Sequence, residues 1–185
     1  MIPINSITGR LGNQMFEFAA LYSFAKEQNV DFYFQDEKWF KKYEEDIKNM
    51  FGEGIGFLPF ISIHVRRGDY VNNPFYVDLS KTDYYEQAIK HFPDRKFLVF
   101  SDDTEFAQKL FPDINKFQVI QDQTEIEDFN MASSCEGHII ANSSFSWWYA
   151  WLSPSPHKKI IAPSVKNWYS DGIERTKCPE SWIRI

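Results

Sequence analysis

From residue 60 to residue 162 the chain repeats one pattern, a short apolar, β-branched or aromatic run followed by a stretch with helical spacing, and few folds accept that alternation. The runs predict strands over residues 60–65, 96–100, 117–120, 138–141 and 159–162, with helices over 83–91, 104–110, 125–134 and 146–152 between them. Strands that alternate with helices imply an α/β fold, a mostly parallel sheet wound with right-handed crossovers. Upstream, residues 2–7 and 30–34 read as strands, and helices are predicted over 14–28 and 37–50. Met15, Phe18, Tyr22 and Ala25 recur at helical spacing and read as core. Trp39, Phe40, Tyr43 and Ile47 fall on one face of a lysine- and glutamate-rich helix. Gly52, Gly54 and Gly56 break the pattern, so the chain divides into a small N-terminal α/β unit, residues 1–56, and a larger domain, residues 57–185.

In such sheets ligands bind just outside the carboxyl ends of the strands. The strand over 60–65 runs into His64-Val65-Arg66-Arg67-Gly68-Asp69, the next is followed by Ser101-Asp102-Asp103, and a third by Asn142-Ser143-Ser144. A parallel sheet delivers all three loops to one edge. Two guanidiniums beside a glycine suit a phosphate ester, because Arg offers a planar fork of donors and Gly lets the backbone approach closely. His64 and Asp69 either touch the ligand or hold the arginines, and Asp102 is either a cap or a ligand contact. Asp103 and Ser144 have the chemistry of helix N-caps. The turn Gly9-Arg10-Leu11-Gly12-Asn13 precedes a helix whose free N–H groups favour an anion. Trp147, Trp148 and Trp151 crowd the helix after the serines, a spacing that wedges a helix against a sheet.

The 185 residues, 43% hydrophobic and 18% aromatic, are enough to bury a core. A net charge of −6 speaks against a broad nucleic-acid footprint and makes the arginine pair a local feature. Cys135 and Cys178 are too few for a disulfide framework or a structural zinc site. The sequence shows no signal-like N-terminus and no membrane-spanning run, so a cytoplasmic and at most membrane-peripheral location is expected. Asn142-Ser143-Ser144 fits a glycosylation sequon that this location leaves unused. Arg67-Gly68-Asp69 would serve in cell adhesion only on an exposed loop. No Asp-x-Asp occurs, so the carboxylate pair that commonly holds a divalent ion for nucleotide-sugar transfer is missing, and no metal or cofactor is expected.

Four stretches together carry a resemblance: Gly9-Arg10-Leu11-Gly12-Asn13-Gln14-Met15-Phe16, His64-Val65-Arg66-Arg67-Gly68-Asp69-Tyr70, Phe100-Ser101-Asp102-Asp103, and Ile140-Ala141-Asn142-Ser143-Ser144-Phe145-Ser146-Trp147-Trp148. Their order resembles that of the α-1,2-fucosyltransferases of glycosyltransferase family 11. The resemblance implies a GT-B-like architecture with a Rossmann-like donor domain, and inverting transfer of L-fucose from GDP-fucose to a glycan hydroxyl, with a terminal galactoside as acceptor. It gives Arg66 the donor diphosphate and places Asn13 at the catalytic centre. It also sets Asp128 at the guanine, His64 near the nucleotide, and Ser143 or Ser144 beside phosphate. Arg67, Asp69, Asp102 and Asn142 complete the expected donor site. About fifty residues separate Asn13 from His64, fewer than the family usually carries there, so the acceptor half reads as reduced. The alternative is a non-catalytic GDP-sugar-binding protein derived from the same family. Neither the catalytic base nor the oligomeric state is legible in the residues.

Overall fold

The computed structural model describes residues 11–27 and 57–185. The strands expected at 2–7 and 30–34, the helix at 37–50 and the glycine hinge at 52–56 lie outside the described residues. Within them, the strands are β1 Leu58–Val65, β2 Phe97–Ser101, β3 Phe117–Val119, β4 Cys135–Ile139, β5 Lys159–Ala162 and β6 Ile183–Arg184. The helices are α1 Leu11–Glu27, α2 Tyr84–Lys90, α3 Thr104–Leu110, α4 Glu125–Ser133, α5 Ser144–Leu152 and α6 Val165–Trp168.

The strands form one six-stranded sheet in the order β3-β2-β1-β4-β5-β6, and every pairing is parallel. The chain builds outward from β1 through β2 to β3, then crosses back to β4 and builds the other way. A crevice opens where the direction reverses, between the carboxyl ends of β1 and β4. The register keeps those ends level, with Val65 beside Ser101 and Ile63 beside both Val99 and Ile139.

Both faces are covered, and alternation along the strands decides which side chain meets which layer. Ile61, Ile63, Val65, Phe97 and Val99 pack with Tyr84, Tyr85 and Ala88 of α2 and Ala107 of α3. Leu98, Phe100, Ile160 and Ala162 point the other way, toward Met15, Phe16 and Ala19 of α1, Phe129 of α4 and the tryptophans of α5. Each large side chain so buried contributes roughly 1.5–3 kcal/mol. Ser62 and His138 are buried among them and share a hydrogen bond across β1 and β4, Oγ to Nδ1, at 2.8 Å.

The helix α5 is apolar nearly all round, and every residue from Ser146 to Leu152 is buried. It lies between the sheet and α1, with the Phe16 ring 4.9 Å from Trp147 and 4.8 Å from Trp148. The Trp147 indole N–H donates to the Lys177 carbonyl at 3.0 Å. The tryptophans are wedges, as their spacing predicts.

Several boundaries differ from the sequence expectation. β4 begins at Cys135 rather than at 138, because Glu136 and Gly137 do not read as strand yet hold two constraints. Glu136 pairs with Arg95, and Gly137 fits closely among Phe92, Ile61 and the Lys159 carbonyl. α5 begins at Ser144, not at 146. Its N-cap position is Ser143, while the Ser144 hydroxyl is turned to another partner described below, so Ser144 is not the cap. Asp103 does cap α3, accepting from the Phe106 N–H at 3.0 Å. The short α6 and the two-residue β6 have no periodic signal. β6 is held by the backbone, with Ile185 N–H donating to Ala162 at 3.1 Å and Ser164 N–H to Ile185 at 2.6 Å.

Candidate active site at the sheet switch point

A cavity of about 700 Å³ occupies the crevice at the carboxyl ends of the strands. His64, Arg66, Asp69, Asp102, Asn142 and Ser143 line it from the strand ends. Asn13, Asp128 and Ser144 line it from the first turns of α1, α4 and α5. Each of these helices begins at the cavity because it enters or crosses over the same sheet edge, so their unpaired N–H groups face one space. That arrangement favours an anion.

Arg66 directly follows β1 and is held by carboxylates. Its Nη1 donates to Asp102 Oδ2 at 2.5 Å, and its Nη2 to Asp69 Oδ1. The other Asp102 oxygen accepts from the Arg67 backbone N–H at 2.7 Å, so one carboxylate fixes both the side chain and the loop that bears it. This proximity requires Gly68, which has φ +33°; a Cβ there would lie 2.5 Å from Asp102 Oδ2. Asp69 is exposed, whereas the Arg66 side chain is 9% exposed. The guanidinium also lies 5.1 Å from the centroid of the Tyr70 ring.

Arg67 goes elsewhere. Its Nη1 donates to Asp78 Oδ2 at 2.9 Å and Ser80 Oγ at 3.3 Å, and the guanidinium stacks on Phe106 at 3.8 Å. Alone among the residues the sequence marked for the donor, Arg67 does not line the cavity. It anchors the loop instead, and with its side chain pinned inward the Arg67-Gly68-Asp69 tripeptide has no adhesive geometry.

Among the imidazole and carboxyl groups lining this space, the fold perturbs His64 and Asp128. Burial, and secondarily the Arg66 charge, lowers the His64 pKa to about 3, so its imidazole is neutral, with Nδ1 buried and unpaired. Burial, helped by the charge of Glu127, raises Asp128 to about 6. Its Oδ1 is likewise buried without a hydrogen-bond partner. Asp128 sits one turn into α4, whose start is fixed by a capping box: Thr124 N–H donates to Glu127 Oε2 at 2.7 Å, and Glu127 N–H to Thr124 Oγ1 at 3.3 Å.

The starts of α1 and α5 touch. Ser144 Oγ donates to Asn13 Oδ1 at 2.7 Å across 131 positions of sequence. The contact depends on Gly12, where a Cβ would come within 2.5 Å of the Phe145 nitrogen. The Asn13 motif thereby shares one cavity with Arg66. Asn142 uses its amide to hold the wall, donating to the carbonyls of Val77 at 2.9 Å and Trp168 at 3.0 Å.

Sequence reasoning passed over the tyrosines. Tyr70, Tyr76 and Tyr169 line the cavity beside Thr176. Tyr70 adjoins the arginine motif, which was the available signal; Tyr169 and Thr176 follow the unforeseen α6. At the other end Gln123 lies in the loop before α4 and Glu125 is the first residue of that helix. Among the described residues, no cluster of His, Cys, Asp or Glu has the geometry to hold a metal ion. No described helix is long and apolar enough to cross a membrane.

The chain is 32% identical over 176 residues to an alpha-1,2-colitosyltransferase of Escherichia coli, covering 83% of this chain and 61% of that protein. It is 34% identical over 135 residues to the O-antigen biosynthesis glycosyltransferase WbnK of Escherichia coli, covering 67% of this chain and 44% of that one. The chain thus spans roughly half the length of these curated relatives. A crystal structure of the NodZ alpha-1,6-fucosyltransferase soaked with GDP-fucose aligns over 86% of this chain and 64% of its own, with a TM-score of 0.45 and 14% identity. The sequence profile of glycosyl transferase family 11 matches residues 21–185, and the chain belongs to that family.

Proposed function

We propose that this chain binds a GDP-sugar and transfers its L-fucosyl or closely related deoxyhexosyl group, with inversion, to a hydroxyl of a glycan, a terminal galactoside being the acceptor class. The observation that carries the reading is the pairing of a nearly buried guanidinium, Arg66, with an unsatisfied carboxylate, Asp128, in one cavity. Guanine presents two parallel donors, its N1–H and its exocyclic amino group, which suit a carboxylate with a buried, unpaired oxygen. The departing diphosphate gains negative charge in the transition state, and a positioned guanidinium beside helix N-termini stabilises it most at that moment. Asp102 keeps Arg66 in place. Asp69, exposed and on the Nη2 edge, occupies the position a phosphate oxygen would take and yields it on binding. The relative that transfers colitose supports a deoxyhexose donor.

Calorimetry with GDP tests the assignment. Arg66→Lys keeps the charge but loses the fork, and the expected loss is about 2 kcal/mol of GDP affinity. Equal affinity in the two proteins would remove Arg66 from the diphosphate. Turnover of GDP-fucose should survive EDTA, arginine and helix ends doing the neutralising; activity lost to chelator and restored by Mg²⁺ or Mn²⁺ would overturn that account. GDP binding without transfer to any galactoside would leave a GDP-sugar-binding protein.

A further inference from the structure

The cavity has two unlike ends. Gln123, Glu125 and Asp128 enter it from the β3 side, and Tyr169 and Thr176 from the β5 side. Tyr76 joins the second group through an isolated antiparallel bridge to Tyr169. Arg66, Ser143 and Ser144 come from β1 and β4, which lie between the two sides in the sheet. A nucleotide sugar whose diphosphate sits in the middle must send its base one way and its glycosyl group the other.

We infer that the tyrosine end is the glycosyl subsite, where the rings of Tyr70, Tyr76 and Tyr169 form a shelf that takes the deoxyhexose. The inference rests on the GDP-sugar reading above. The Tyr70 and Tyr76 rings are stacked 3.8 Å apart at 9°, and Tyr169 stands 5.7 Å from Tyr76. The shelf is fixed before any ligand arrives. The Asn142 amide ties the carbonyls next to Tyr76 and Tyr169, and Ser170 N–H donates to the Phe75 carbonyl at 3.1 Å. Arg66 lies over Tyr70, so the group bonded to an Arg66-held phosphate is delivered to these rings. A deoxyhexose presents a methyl and a patch of C–H bonds, a surface that aromatic faces accept. The reverse orientation also stacks a ring on the shelf, but it strands the donors of guanine away from Asp128 and leaves that carboxylate oxygen buried and unpaired.

The test compares GDP with GDP-fucose on the whole chain by calorimetry. Tyr76→Ala should weaken GDP-fucose about ten-fold while GDP affinity stays within about two-fold, since the sugar loses a ring of its shelf while Asp102 still holds Arg66. Equal weakening of both ligands, or of neither, overturns the inference. If the wild-type chain binds no GDP, the GDP-sugar reading fails instead, so the two failures are distinguishable. A second measurement needs no variant. In protein whose tyrosines are the only protonated aromatic side chains, nuclear Overhauser effects should connect ring protons to the fucose methyl. Effects from the guanine H8 to those rings would overturn the orientation.

Discussion

Asp128 gives the site a pH dependence whose sign differs for binding and for stability. Its pKa is raised to about 6, while the guanine contact proposed for it uses the ionised carboxylate. GDP should therefore bind about ten-fold more weakly at pH 5 than at pH 8 on account of this group. Asp128→Asn should bind weakly at both, with any residual slope belonging to the phosphate. For stability, an acid whose folded pKa exceeds its unfolded one favours the fold at low pH and loses that contribution as pH rises through about 6. Asp128→Asn should consequently raise the stability of the empty chain at pH 7 by about 1 kcal/mol, allowing for solvent screening of a half-exposed group. Thermal melts at pH 7 check it, and an unchanged or lower midpoint would mean that the carboxylate is not held at a cost. At this scale the sequence was informative about identity and poor about direction. His64, Arg66 and Asp102 could be read as one cluster because strand ends define an edge. That Arg67 turns away could not, since its partners Asp78, Ser80 and Phe106 sit on segments with no chemical signature.

Among elements, α1 and α5 depend on each other through a single missing Cβ. Gly12→Ala would drive a methyl to 2.5 Å from the Phe145 nitrogen, a clash with backbone that no rotamer relieves. The expected cost is about 1–3 kcal/mol, as for overpacked cores. The Ser144 to Asn13 hydrogen bond should be lost with it. Urea titration measures the first effect, and chemical shifts of the Asn13 side-chain amide the second; a variant as stable as the parent would show that α1 packs less closely than its contacts require. The helices and strands with strong periodicity were legible, α3 and β5 to the residue. The start of β4 was not, because Gly137 is chosen for close packing rather than strand propensity. β6 was not either, because two residues paired on one edge leave no pattern.

For the molecule as a whole, two imidazoles are buried in neutral form. Burial, then the Arg66 charge for His64 and the Lys158 charge for His138, lowers each pKa to about 3. Unfolding lets both take up protons below pH 6.5, so the stability they permit is complete above that value and is lost progressively toward pH 3. The expected slope below pH 6 is about 1 kcal/mol per pH unit for each histidine, partly offset by Asp128. Chemical denaturation between pH 5 and 7 checks this, and His138→Gln should flatten the curve relative to the parent. The parallel sheet itself followed from alternation along the chain; the strand order, which reverses at β1, did not. That α1 packs on α5 in particular was not legible either, for nothing local announces a partner so far away. That distance also has a history in time. During synthesis, at about 5–20 residues per second, α1 leaves the ribosome on the order of ten seconds before α5 does. Until then Met15, Phe16 and Ala19 have no tryptophans to cover them, and the nascent chain carries a sticky helix that a holdase must shield or that must wait, reversibly docked, for the last side of its site to be made.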